Sequence, residues 1–454
     1  MKLGYKLAIV AVIAAFFASL FSTTVAFASP GNKVIPALSQ VRVCSLPVPG
    51  YAACDSVQLL NPKVNWHGQI GLSEASKSKP SPLTTPSGYY PGDLQSAYGL
   101  ASYSSKFGSG ETVAIVDAYN DPYALKDLAY YRSYFNGKSG SVTGTSTTDI
   151  PPICGTPEAS GASSCVHFTI YNQNGSTTSH PRNNVSWSEE ISLDLDMVSA
   201  ICPNCNIALV EASSASFSNL AKAVNFAKTL SPIAISNSYG GSEFSSETSS
   251  NATYSGSNLM AMTVSAGDSG YGVEFPAASP GVTAVGGTTL NYTVTNGVPK
   301  WSQSVWSGSG SGCSAYEPAP SWQASGWDIA CSNRTVADTA GDANPNTGVA
   351  VYDTYGQGGW LVFGGTSVAS PTVSSVYALA KGYDISAGIN FSASPSLLYG
   401  AADSQLTNIV SGSNGSCGTY LCNASPTLSP PLMPAYDGPT GNGTVAGLNG
   451  LGAF

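Results

Sequence analysis

Three short strings in the chain carry side chains able to make and break bonds. In Phe363-Gly-Gly-Thr-Ser-Val-Ala-Ser-Pro371, Ser367 follows two glycines and opens a run of small residues. Glycines let the backbone turn tightly and leave room beside it. A serine in the first turn of a helix faces N–H groups without internal partners, a field that favours a developing oxyanion. Pro371 suits that helix if it falls in the first turn. The other reading is a helix cap with no chemistry.

A serine hydroxyl needs a proton acceptor. In the helical stretch Trp187–Ala200, Glu190 and Asp194 are four apart and share one face, which continues with Met197 and Ile201. Ser188, Ser192 and Ser199 line the other side, with Glu189 and Asp196 flanking it as solvated surface charges. Two carboxyls heading an interior stripe are costly to bury unless they are used. Held close, they share a proton and one apparent pKa rises. Such a pair can accept a serine proton and return it, but only in acid. A solvated acidic face is the competing reading. In the third string, Val264-Ser-Ala-Gly-Asp-Ser-Gly270, Asp268 follows a strand. Protonated, it could donate a hydrogen bond to an oxyanion; the alternative is an ordinary Asp-Ser-Gly turn.

The elements that must position these residues alternate. Strands are expected at Thr112–Asp117, Asn206–Glu211, Ile233–Ser238, Met260–Ser265, Val282–Val285 and Val349–Tyr352. Helices are expected at Tyr123–Phe135, Ser216–Lys228 and Thr366–Lys381. This predicts an α/β fold, a parallel sheet with helices on both faces and function at the carboxyl ends of its strands. No internal repeat is visible.

At the N-terminus, Lys2 and Lys6 precede an apolar run ending in Ala26-Phe-Ala28, so residues 1–28 read as an export signal rather than a membrane anchor. Residues 29–88 are rich in Pro, Gly and Ser and read as a short prosegment or exposed extension; residues 89–454 form the main domain. Ten cysteines in an exported chain suggest disulfides, the nearest couples being 44 with 54, 154 with 165, 202 with 205, 313 with 331 and 417 with 422. A metal site from Cys165, His167, Cys202 and Cys205 is the weaker alternative. Only 9% of the 454 residues are charged and the net charge is −9, which excludes a basic nucleic-acid footprint. With 17 Lys and Arg, little positive charge remains in acid to repel itself.

Together these strings resemble the sedolisin family of serine-carboxyl peptidases, relatives of the subtilisins. The motifs are Glu190-x-x-x-Asp194 after Trp187, Ser-Ala-Gly-Asp268-Ser-Gly and Gly-Gly-Thr-Ser367-x-Ala-Ser-Pro, in that order. Trp306-Ser-Gly-Ser-Gly-Ser-Gly-Cys-Ser314, Phe275-Pro-Ala-Ala-Ser-Pro280 and Val282-Thr-Ala-Val-Gly-Gly-Thr288 look familial too, and the likeness runs from about Pro91 onward. The resemblance implies a subtilisin-like fold and a secreted, monomeric, acid-acting enzyme that cuts proteins or peptides, with no nucleic-acid or membrane partner. It implies that Ser367 attacks, Glu190 is the base, Asp194 orients Glu190, and Asp268 and the Ser367 N–H support the oxyanion. It also implies one structural calcium, carried here by Asn408, Ile409 and Asp437, with Asn408 where an aspartate is usual; the other reading of these residues is a Gly/Asn loop without metal. Ala234–Gly240 resembles the strand that pairs with an extended substrate, leaving Tyr239 and the Trp306–Cys313 loop as pocket walls or core.

Two rivals remain. One is an inactive relative that binds peptides or serves as a wall protein. The other is a histidine-dependent, subtilisin-like enzyme: Asp117 ends a strand as its aspartate would, but His67, His167 and His180 lack the matching surroundings.

Overall fold

Short β-branched and alanine-rich runs make the centre of the molecule. The computed structural model describes residues 40–60, 62–64, 70–72, 83–323, 331–400, 406–425, 427 and 435–448. The expected export signal and His67 lie outside these residues. The central strands are β1 (Thr112–Ala118), β2 (Phe168–Asn172), β3 (Asn206–Ala212), β4 (Ala234–Asn237), β5 (Ala261–Ser265), β6 (Thr283–Thr295), β7 (Val298–Val305), β8 (Thr339–Asp342), β9 (Leu406–Thr407) and β10 (Thr444–Val445). They lie in the order β9-β10-β8-β6-β5-β4-β1-β3-β2, with β7 hairpinned onto β6. Every pairing along this path is parallel except β9 with β10, and β7 pairs with β6 antiparallel.

Both faces of the sheet are covered, which is why its strands read as continuous apolar runs. Val113, Ile115, Ile207 and Leu209 point into one core, while Ala114, Val116, Ala208 and Val210 point into the other. Helices α1 (Ala124–Phe135), α2 (Val185–Ile201) and α4 (Thr366–Ala387) cover the first face. Helix α3 (Phe217–Thr229) covers the second with Leu220, Ala223, Val224 and Ala227. The Asn184 and Ser216 side chains cap α2 and α3 by accepting from the N–H groups of Trp187 and Asn219 at 3.1 and 3.3 Å.

The structure departs from the expected elements in three places. The short strand at Val282–Val285 is the start of the long β6, which returns as β7 through Asn296-Gly297, both with positive φ. Val349–Asp353 does not join the central sheet but pairs antiparallel with Gly359–Gly364, the strand that delivers the chain to α4. Within the N-terminal stretch, residues 52–59 are all buried, whereas residues 48–51 before them are exposed. Ala53–Cys54 pairs with Tyr239–Ser242, and Val57–Leu59 lies between Gln40–Arg42 and Gly359–Gly364. Such two- and three-residue pieces are held by backbone pairing and need no hydrophobic period.

The five sequence-near cysteine couples are all bonded. That removes Cys165, Cys202 and Cys205 as thiolate ligands. Among the described residues, no helix is long and apolar enough to cross a membrane.

Many buried carboxyls lack a cation. The ion pairs among the described residues are Arg42–Asp55, His180–Glu211 and Arg334–Asp338. Burial pushes Asp121 up to about 7, Asp117 to about 8 and Asp353 to about 9, and it raises Asp196 and Asp342 well above the carboxylate range. Each group binds its proton more tightly folded than unfolded. Their stabilisation is therefore complete below the unfolded pKa of about 4 and is lost as pH climbs through the folded values. Thermal unfolding scans across pH should find Tm highest in acid and lower at pH 9 by on the order of 10 °C or more. A Tm maximum at neutral pH would contradict this.

Candidate active site

The chemistry-bearing residues meet at one end of the sheet. One turn apart on α2, Glu190 and Asp194 are completely buried. At the start of α4, Gly365 has φ 101° and Ser367 lies buried in the first turn. No larger residue fits at 365, because a Cβ there would lie 2.3 Å from the Asp55 carbonyl oxygen and 2.5 Å from Asp268 Oδ2. Beyond the end of β5, Ala266-Gly267 delivers Asp268, and β1 brings Asp117 in its last residues. Ser238, just after β4, ties the cluster together: its hydroxyl donates to Asp194 Oδ1 at 2.8 Å, and its carbonyl accepts from Ser367 Oγ at 3.4 Å and from the Asp55 N–H at 3.2 Å.

Glu190 lies deep among these acids. Neither of its oxygens has a partner of normal hydrogen-bond geometry among the described residues. Burial raises its pKa well above the glutamate range and the nearby Asp117 carboxyl adds to this, while the Ser367 and Ser56 hydroxyls pull it back. Ser367 is thus close enough to favour the Glu190 carboxylate although its formal bond goes to Ser238. At 3.4 Å that bond is long and holds the hydroxyl weakly. Asp194 is raised by burial, then by Asp117 and Glu190, against the Ser238 bond. Asp117, with both oxygens buried and unpartnered among the described residues, is pushed to about 8 by burial.

Asp268 stands beside Thr366, the residue before Ser367. Its Oδ1 accepts from the Thr366 N–H at 2.7 Å and from the Thr366 hydroxyl at 2.9 Å, while Oδ2 has no partner among the described residues. Burial and the Asp55 carboxyl raise its pKa, and the Thr366 bonds oppose this. A protonated Oδ2 is a donor aimed at the open side of Gly365.

The four expected residues are therefore together. Asp117 was visible as a strand end, but without a role beside Glu190 and Asp194. Ser238 and Asp55 gave no signal, since a serine after a strand and an aspartate in an irregular stretch are ordinary. His180 bonds Glu211 at 3.0 Å and His167 is exposed; neither touches Ser367, Glu190 or Asp194 through a hydrogen bond. Tyr239 is core rather than wall, fully buried with its hydroxyl on Asn237 Oδ1 at 2.8 Å. Trp306 is buried against Val57 and Ala343. The flanking Glu189 and Asp196 are not solvated. Gln357 bonds Glu189, and the Tyr352 N–H donates to Asp196 at 2.9 Å, because α2 is covered by α4, α1 and the Val349–Asp353 strand. Pro371 falls past the first turn, inside α4, and offers no N–H to the Ser367 carbonyl.

Calcium takes roughly six to eight oxygens, of which Asn408, Ile409 and Asp437 were expected to supply some. Asp437 spends one oxygen on the Thr440 N–H at 2.9 Å and the other on the Thr440 hydroxyl at 2.7 Å. Asn408 is exposed, Ile409 packs its side chain with Val305 and Ala424, and no three His, Cys, Asp or Glu residues gather into a metal-holding group among the described residues.

Known proteins resemble this chain in sequence and in fold. Residues 167–393, half of the chain, match the model of the Subtilase family. Kumamolisin of Bacillus sp. (strain MN-32) is 34% identical over 218 residues, covering 42% of this chain and 38% of that protein. Sedolisin of Pseudomonas sp. (strain 101) is 36% identical over 191 residues, covering 38% of this chain and 29% of that protein. The matches thus span well under half the length of these curated relatives. A solved structure of Pseudomonas sedolisin, a serine-carboxyl proteinase complexed with two molecules of pseudo-iodotyrostatin, superposes with a TM-score of 0.61 at 26% identity, over 80% of this chain and 96% of that one. With its parallel sheet, its Gly-Gly-Thr-Ser helix start and its buried carboxyl cluster, the chain belongs to the subtilase family and, within it, to the sedolisins.

Proposed function

We propose that this protein is a secreted serine-carboxyl peptidase that hydrolyses proteins or peptides in acid. The observation that carries this reading is the burial of Ser367 and Glu190 together, with the serine hydroxyl near enough to stabilise the carboxylate and, among the described residues, no imidazole bonded to either.

Ser367 Oγ attacks the substrate carbonyl as its proton passes to Glu190. Asp194, held by the Ser238 hydroxyl, orients Glu190 and shares the proton of the pair. Protonated Asp268 donates from Oδ2 to the oxygen that gains charge, beside the Ser367 N–H. Glu190 then protonates the departing amine, and water releases the acyl group by the same steps in reverse. Burial and mutual repulsion mean that Glu190, Asp194 and Asp117 do not all ionise together. In acid one negative charge serves as base while the remaining protons stay. As pH rises through about 8, Asp117 adds a second charge and Asp268 moves toward its acceptor-only form. Activity therefore belongs to the acid side.

An extended substrate would pair with Tyr239–Ser242 in place of Ala53–Cys54, which holds one edge of that strand while Glu274–Phe275 holds the other. The N-terminal signal-like sequence and five disulfides support export. Calcium enters none of these steps; at Asp437 it would have to compete with Thr440 for both oxygens.

With denatured protein as substrate and products identified by mass spectrometry, the rate should peak in acid; full activity at pH 8 would count against the carboxyl base. Ser367→Ala and Glu190→Gln should each lose at least about 10³-fold in kcat while remaining folded. Asp268→Ala, which removes one oxyanion donor, should lose about 10²–10³-fold in kcat. Retention of wild-type turnover by Asp268→Ala would remove it from the reaction.

A further inference from the structure

Residues 52–59 run through the cleft beside Ser367 and are buried throughout. On one side of Asp55, Cys54 pairs with Tyr239 and Ala53 with Gly240; on the other, Val57 pairs with Gly364 and Gln58 with Phe363. Both pairings are antiparallel. Between them the Asp55 N–H donates to the Ser238 carbonyl at 3.2 Å, and the Asp55 carbonyl accepts from the Ser367 N–H at 2.9 Å. One extended backbone thus crosses the site and sets a register for any peptide that takes its place. The carbonyl under attack lies where the Asp55 carbonyl lies, and the second residue beyond the cut bond lies where Val57 lies. Backbone pairing of this kind reads little sequence, so selection falls to the side-chain slots along the path.

We propose that Trp306 and Ala343 select the second residue after the cut bond by seating an apolar side chain of valine size between them. The inference rests on the peptidase reading given above. Val57 fills that slot and is 7% exposed, packed with Trp306 and Ala343. Both walls hang from β6: the Trp306 N–H donates to the Gly287 carbonyl at 3.0 Å, and the Ala343 N–H to the Thr288 carbonyl at 2.9 Å. The indole ring is wedged between glycines. A Cβ on Gly287 would lie 2.8 Å from Trp306 Cε3 and 2.7 Å from Ala343 Cβ, and one on Gly308 would lie 2.3 Å from Trp306 Cζ2. With β6 behind both walls, the slot has a set width.

The slot offers carbon and little else. Asp342, which adjoins Ala343, directs its Oδ1 to the Leu290 N–H at 3.3 Å and the Thr347 hydroxyl at 3.1 Å. A charged side chain seated between an indole and a methyl group would give up water without gaining a partner. Glycine would leave the slot unfilled. In an apolar pocket one methylene changes selection by roughly tenfold or more. The residue before the cut bond meets a different surface: the Ser265 hydroxyl donates to Asp55 Oδ2 at 2.6 Å, with the carboxyls of Asp268 and Glu274 nearby. Apolar selection therefore falls after the bond rather than at it.

Denatured proteins digested in acid by the full-length protein, with the cut sites read by mass spectrometry, test this. Val, Ile and Leu should be enriched at the second position after the cut, and Lys, Arg, Asp and Glu depleted. In synthetic peptides built on one cut sequence, replacing Val at that position by Lys or Gly should lower kcat/KM at least about tenfold. Ala343→Val, which narrows the slot, should cut the ratio of kcat/KM for the valine peptide over the glycine peptide at least about fivefold. If Ala343→Val does not fold, Ala343→Gly widens the slot and should move the preference toward Leu and Phe. Wild-type cut sites without an apolar preference at that position, or a preference that the folded variant leaves unchanged, overturn the inference and leave the peptidase reading standing. Absence of turnover on every substrate overturns both.

Discussion

The structure depends on keeping a group of carboxyls out of water without giving them cations. Glu190, Asp194 and Asp117 are completely buried; Asp117 raises the pKa of both others and Glu190 that of Asp194, and the one hydrogen bond of normal geometry to the three among the described residues runs from Ser238 to Asp194. Burying an isolated carboxylate is far more costly than burying the neutral acid, so such a cluster is stable only if most of it stays protonated. That constraint links two properties usually treated apart. The conditions that let the fold persist are the conditions in which one remaining charge can act as a base while its neighbours stay neutral. The same logic extends outward to Asp121, Asp196, Asp342 and Asp353, which take no part in the cluster but share its preference for the protonated form.

Position follows from topology. Strands β1, β4 and β5 are adjacent and parallel, so Asp117, Ser238 and Asp268 emerge together at one edge of the sheet. Helices α2 and α4 pack against each other on the same face. Their residues reach that edge at different depths: Glu190 within the first two turns of α2, and Ser367 at the first turn of α4. The hairpin of Val349–Asp353 and Gly359–Gly364 aims the chain into α4, and the positive φ of Gly365 makes the final bend. A side chain at 365 would collide with the oxygens the site uses, so the glycine is a requirement of the chemistry as much as of the turn.

Much of this was legible in the sequence, and the reasons differ from residue to residue. Glu190 and Asp194 could be paired because a helix fixes what lies four residues away, and Ser367 because two glycines before a run of small residues mark a tight helix start. The strands β1, β3, β4 and β5 were legible because burial on both faces leaves unbroken apolar runs. What escaped notice depends on long-range pairing. Glu189 and Asp196 looked like surface charges because helix periodicity says nothing of how many neighbours surround a helix. Asp55, over a hundred residues before Glu190, sits in a stretch whose strands are two or three residues long, too short for any period. Asp437 entered as a calcium ligand only through the family resemblance, and its bonds to Thr440, three residues on, had no signal in the sequence.

The central claim is that the buried pair of Glu190 and Asp194 gives up one proton but holds the other far above the ordinary range, because burial and Asp117 disfavour a second charge. Infrared difference spectroscopy of the protonated carboxyl bands, followed against pH in the folded Ser367→Ala protein and assigned by their loss in Glu190→Gln and Asp194→Asn, reads that proton directly. The account predicts a carboxylic-acid band of this pair that persists well above the model-peptide range of about 4. Loss of every band of the pair near that value would contradict it.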